Sequence, residues 1–99
     1  MPEMTFTVQW PDGSVEECYS PSLVMHDHLD SGADYTVGDF LDRANGALDI
    51  ASERVRAKYG FACTSALAQK ERLALSSARF DTASGVRVLT MHPPLPPVG

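Results

Sequence analysis

The amino-acid sequence predicts an α+β fold: a single small domain in the order β-β-α-α-β, with an antiparallel hairpin, a pair of helices and a closing strand. Three observations carry this reading. Met4, Phe6, Val8 and Trp10 alternate with Thr5, Thr7 and Gln9, the period of a strand with one buried face. Phe40, Leu41, Ala44, Leu48, Ala51, Val55 and Tyr59 recur at intervals of three and four, the stripe of an amphipathic helix of roughly six turns. Val86-Arg-Val-Leu-Thr-Met91 then returns to β-branched and apolar residues, as a strand requires.

The connections follow from turn chemistry. Pro11-Asp12-Gly13-Ser14 is a hairpin turn, since proline presets φ and Asp-Gly accepts the positive φ of a tight reversal. Val15 to Tyr19 is expected to return as an edge strand on which Glu16 and Glu17 discourage stray pairing. Ser20-Pro21-Ser22 ends it, because proline has no amide hydrogen for a ladder. Leu23-Val24-Met25 either covers the sheet or forms a brief helical turn, and residues 26–35 have the composition of a loop. Thr36 caps the first helix with Asp39 in capping-box position. Gly46 inside that helix is tolerable where a neighbouring element packs closely. Gly60 stops it in the left-handed conformation, with Phe61 placed for the accompanying apolar contact.

A second helix, capped by Thr64 or Ser65, runs through Leu67, Leu73 and Leu75 to about Ala78, with Lys70, Glu71 and Arg72 outward. Residues 1–91 are thus one α+β domain with the helical hairpin on one sheet face. Residues 92–99 are a proline-rich extended tail. Three strands leave open edges, so a homodimer that extends the sheet or pairs the helices is a natural way to cover them.

Composition narrows the function. Ninety-nine residues suffice for one core, and 43% hydrophobic with 21% charged residues is an ordinary globular balance. A net charge of −5 opposes attraction to nucleic acid or anionic lipid. The first residues lack the basic start and apolar run of a signal peptide, and no stretch approaches the ~20 apolar residues of a membrane span. A cytoplasmic protein is expected, in which Cys18 and Cys63 are free thiols.

Few residues offer chemistry. Cys63 precedes the second helix near Lys58, and both a helix N-terminus and a cation favour a thiolate nucleophile. A cysteine in Phe-Ala-Cys-Thr-Ser-Ala is equally a small buried hydrophobe, and no histidine lies close in sequence to serve as its base. Arg54, Arg56, Lys58, Lys70 and Arg72 form a basic zone that, with Thr64 and Ser65, could receive an anion; a solvated helix face and helix capping explain the same residues. His26 and His28, beside Asp27 and Asp30, give only part of a metal-ligand set, so neither a metal nor a cofactor is expected.

Three stretches carry a resemblance: Trp10-Pro-Asp-Gly-Ser14, Cys18-Tyr-Ser-Pro-Ser22 and Ala47-Leu-Asp-Ile-Ala-Ser-Glu-Arg-Val-Arg-Ala-Lys-Tyr-Gly-Phe-Ala-Cys-Thr-Ser-Ala-Leu67. They resemble the small bacterial nitrogen-starvation-response family described from mycobacteria, over residues 2–68 and more loosely beyond. The resemblance implies a gene encoded beside a nitrilase, a radical-SAM protein, an acetyltransferase and a flavoprotein, in a cluster linked to nitrile or cyanide nitrogen use. It implies no catalytic residue. The expectation is therefore a non-catalytic accessory protein that works with the enzymes of that cluster. The alternatives are a small thiol enzyme or carrier using Cys63, or an anion-binding regulator of nitrogen status.

Overall fold

A computed structural model describes residues 3–60 and 64–93. Strand β1 (Met4–Gln9) pairs antiparallel with β2 (Val15–Ser20) across a turn closed by two bonds, Trp10 N to Ser14 O at 2.8 Å and Gly13 N to Trp10 O at 2.9 Å. Gly13 has φ 89°, the positive value for which glycine is suited. The chain then makes a 3₁₀ turn (Leu23–Asp27), a short strand β3 (Asp34–Thr36), helices α1 (Val37–Tyr59) and α2 (Thr64–Ser77), and strand β4 (Gly85–His92).

The domain is α+β as expected, but the sheet has four strands in the order β2-β1-β4-β3, all neighbours antiparallel. β3 begins inside the stretch expected to be loop, residues 26–35, and ends on the helix cap Thr36. Its three residues are too few to display an alternation, and the strand exists because β4 offers a free edge: Asp34 lies opposite Arg87, Tyr35 opposite Val86 and Thr36 opposite Gly85. β4 itself carries a bulge against Thr7 and Val8. One additional residue resets its alternation, so that Val88 and Met91, an odd number of positions apart, are both buried.

The helices lie over one sheet face. Met4, Phe6, Val8, Cys18, Val86, Val88 and Met91 from the strands meet Phe40, Ala44, Ala47, Leu48, Ala51, Ala66 and Leu73 from the helices in one core. Trp10 anchors its hairpin end, meeting Phe40 edge-on with ring centroids 5.7 Å apart and stacking on Phe80 at 5.9 Å. The opposite face, with Thr5, Thr7, Glu17, Arg87 and Thr90, is polar and open.

Helix α1 starts and stops where its capping residues sit. The Asp39 amide donates to Thr36 Oγ1 at 3.1 Å, while the Asp39 carboxylate pairs with Arg43 at 3.0 Å instead of returning to the cap. Gly60, at φ 81°, donates its amide to Arg56 O at 2.8 Å. Phe61 lies outside the described residues. The apolar stripe is shorter than its periodicity suggests: burial ends at Ala51, Val55 is half-buried, and Tyr59 is 52% exposed. No element packs tightly on Gly46, where a Cβ would meet only His28 Cδ2 at 4.0 Å.

On α2 the buried residues are Ala66, Gln69, Leu73 and Ser77, while Leu67 and Leu75 are 49% and 75% exposed. The helix runs through Leu67, Leu73 and Leu75 as expected, but the three leucines do not form one stripe. At ~100° per residue, Leu75 stands about 200° around the helix from Leu73, so the two cannot share a face. Among the described residues no helix is long and apolar enough to cross a membrane.

Candidate functional site

A concavity lies where the β1–β2 turn faces the C-terminal half of α2. Strand alternation places Glu16, Cys18 and Ser20 on the helix side of β2 and Val15, Glu17 and Tyr19 on the other. Glu16, expected to be an edge guard, therefore points inward, and only Glu17 is exposed. Glu16 Oε1 accepts from Trp10 Nε1 at 3.1 Å and from Ser76 Oγ at 2.6 Å, a contact across 60 positions of sequence. Its second oxygen, Oε2, is buried without a hydrogen-bond partner among the described residues.

Around this carboxylate lies a cleft of about 380 Å³, bordered by Trp10, Val15, Arg72, Leu75 and Arg79. Leu75, 75% exposed, forms its apolar wall. Arg79 is engaged: it faces Asp12 at 3.7 Å, donates to Ser76 O at 3.4 Å and lies 4.9 Å over the Phe80 ring. Arg72 forms no hydrogen bond or ion pair among the described residues. Asp12 in turn accepts from the amide and hydroxyl of Ser14 at 2.9 and 2.6 Å, which holds its carboxyl below the usual carboxylate value.

The residues singled out from sequence are dispersed. Cys63 lies outside the described residues. Cys18 is a free, buried thiol whose pKa burial pushes up to about 12, with the Glu16 charge adding to the effect. That is the opposite of thiolate activation. Arg54 donates to Ser22 Oγ at 3.3 Å and thereby fastens α1 to the 3₁₀ turn. Arg56 and Lys58 occupy the last turn of α1, where cations complement the helix dipole, and Lys58 lies 5.5 Å over the Tyr59 ring. Thr64 and Ser65 are exposed in the first turn of α2. Lys70 reaches Asp49 at 2.6 Å.

The two loop histidines serve the backbone. His26 Nε2 donates to Pro93 O at 2.8 Å and His28 Nδ1 to Val24 O at 3.2 Å, since a carbonyl can only accept. Among the described residues no group of three or more His, Cys, Asp or Glu side chains converges to hold a metal. Sequence reasoning missed Glu16 and Ser76 as site residues. The inward phase of Glu16 was available from the alternation around Cys18, whereas its pairing with Ser76 had no local signal.

Fold and cleft together define a small α+β domain with a single helical layer and a mixed-charge cleft at its hairpin end. Across residues 5–91 the chain matches the family model described as nitrogen starvation-induced protein NitG, and it belongs to that family. The match runs through β4, well past the stretch that carried the resemblance in sequence. No curated protein and no solved structure matches the chain. Membership makes it a protein of the nitrogen-starvation response.

Proposed function

We propose that the protein is a non-catalytic accessory factor that docks on an enzyme of nitrile or cyanide nitrogen use made during nitrogen starvation. The observation that supports this is the outer face of α1. Ile50, 40% exposed, and Ala57 form the apolar floor of a shallow groove of about 470 Å³, bordered by Asp49, Glu53 and Arg54. An apolar centre with a polar rim is the composition of a protein-contact surface. Lys70 neutralises Asp49, whereas Glu53 makes no ion pair among the described residues. The partner that fits has an apolar projection beside a basic residue.

The test is affinity capture of the tagged protein from nitrogen-starved cells, with Ile50→Glu in parallel. Stoichiometric recovery of such an enzyme by the parent chain, abolished by I50E, supports the reading. Recovery of the bait alone, or equal recovery by both forms, overturns it.

A further inference from the structure

We infer that the cleft at the hairpin end binds a free α-amino acid, its ammonium on Glu16 and its carboxylate on Arg72. This is independent of partner docking, which uses the other helix.

The argument starts from what each charged group lacks. A carboxylate has about four lone-pair sites on its two oxygens. Glu16 directs one oxygen to both protein donors, Trp10 Nε1 and Ser76 Oγ, and leaves Oε2 buried and bare. Oε2 is closed off from solvent, so a ligand reaches this carboxylate once the Glu16 side chain turns toward the cleft it borders. The group the carboxylate lacks is an N–H donor, and a cationic one suits an anion best. Arg72 has the converse need: its guanidinium fork matches a carboxylate, and among the described residues it meets none. Both groups border the same cleft without pairing with each other.

Charge then selects the ligand class. Asp12 faces Arg79, so the unmatched charges of the cleft are one negative and one positive. A simple amine would satisfy Glu16 and leave Arg72 unmet. A simple carboxylate would do the reverse and lie beside a like charge. An α-amino acid carries ammonium and carboxylate within one small molecule, and Leu75 offers an apolar wall to its side chain. In a peptide the α-ammonium and α-carboxylate are at opposite ends, so the backbone of a peptide does not offer the two charges together. The cleft, about 380 Å³, falls in the range of small-molecule sites, roughly 300–1,000 Å³.

Trp10 is the one tryptophan of the chain, and its indole N–H donates to Glu16, so its NMR resonance and its fluorescence both report on this site. The experiment is a titration of the full chain with L-alanine, L-leucine and L-glutamine, with methylamine and acetate as single-charge controls. The expected result is a saturable shift of the Trp10 indole resonance with at least one amino acid and not with either control. Affinity should fall about tenfold or more in Glu16→Gln and, separately, in Arg72→Gln. Arg72 is exposed on α2, so its variant reports even where E16Q fails to fold. No shift with any of the three amino acids, an equal shift with a control, or undiminished affinity in R72Q overturns the inference.

Discussion

Gln69 Oε1, on α2, accepts the main-chain amide of Tyr19, on β2, at 2.9 Å across 50 positions of sequence. β2 is an outer strand of the sheet, so its outward amides have no strand to pair with. One of them is answered by a helix that leans over the edge, and Gln69 is only 4% exposed there. The same residue leaves its own Nε2 buried without a partner among the described residues. The edge amide is thus satisfied by a side chain with a buried donor left over.

Replacing Gln69 by Ala strands the Tyr19 amide. The expected cost is about 1–3 kcal/mol, the range for a buried group left unsatisfied. Urea denaturation of Q69A measures it, and an unchanged midpoint would mean that the bond contributes nothing in solution. Sedimentation of the same variant should show increased self-association, because an uncovered edge recruits other strands.

Phe40 is fully buried and meets Trp10 edge-on. Phe40→Ala should destabilise the domain by about 3–5 kcal/mol and red-shift the emission of the now loosely packed indole. Thermal unfolding with fluorescence detection checks both, and a loss below about 1 kcal/mol would place Phe40 outside the core.

Gly46 within α1 and Gly60 at its C-terminal cap should respond in opposite directions. Gly46 has room for a Cβ, its nearest contact being His28 Cδ2 at 4.0 Å, and Gly46→Ala should stabilise by about 0.5–1 kcal/mol through helix propensity. Gly60 is held at φ 81°, and Gly60→Ala should destabilise by about 1–2 kcal/mol, the cost of a left-handed L-residue. Paired chemical denaturation curves decide the signs, and like signs would contradict the assigned backbone.

The Cys18 thiol, raised from 9.0 to about 12, links stability to alkaline pH. Its folded pKa lies above its unfolded one, so the stabilisation is complete below pH 9.0 and declines as pH rises from there through the folded value near 12. Over that window the parent chain should lose about 1.4 kcal/mol per pH unit more than Cys18→Ala does. Denaturation midpoints of both proteins between pH 8 and 11 test this, and parallel profiles would show Cys18 to be ionisable in the folded state.

The edge of β2 and the leucines of α2 show where one-dimensional reasoning went astray. Glu16 and Glu17 both suit an edge strand by composition, yet alternation around Cys18 sends Glu16 inward to Trp10. On α2 the apolar Leu67 and Leu75 are exposed, while the polar Gln69 and Ser77 are buried. Polar residues won those positions because the edge of β2 needs an acceptor and Ala74 O accepts the Ser77 hydroxyl at 3.1 Å, needs that apolarity counts do not register.

What was legible along the chain is what short-range physics encodes: the Asp-Gly hairpin, the Thr36 start and Gly60 stop of α1, the single-sided burial of β1, and the strand after Gly85. Each depends on φ preferences, capping or periodicity within a few residues, and together they were enough for the α+β class. The fourth strand, the burial of Gln69 and the cleft at Glu16 arise instead from pairings that the sequence does not place side by side. β3 needs the edge of β4 some 50 positions later, and Glu16 needs Ser76 after 60. Such contacts are set when the helices settle on the sheet and every buried polar atom must find a partner or go without. That last condition, met at Glu16 Oε1 and unmet at Oε2, is what marks the cleft.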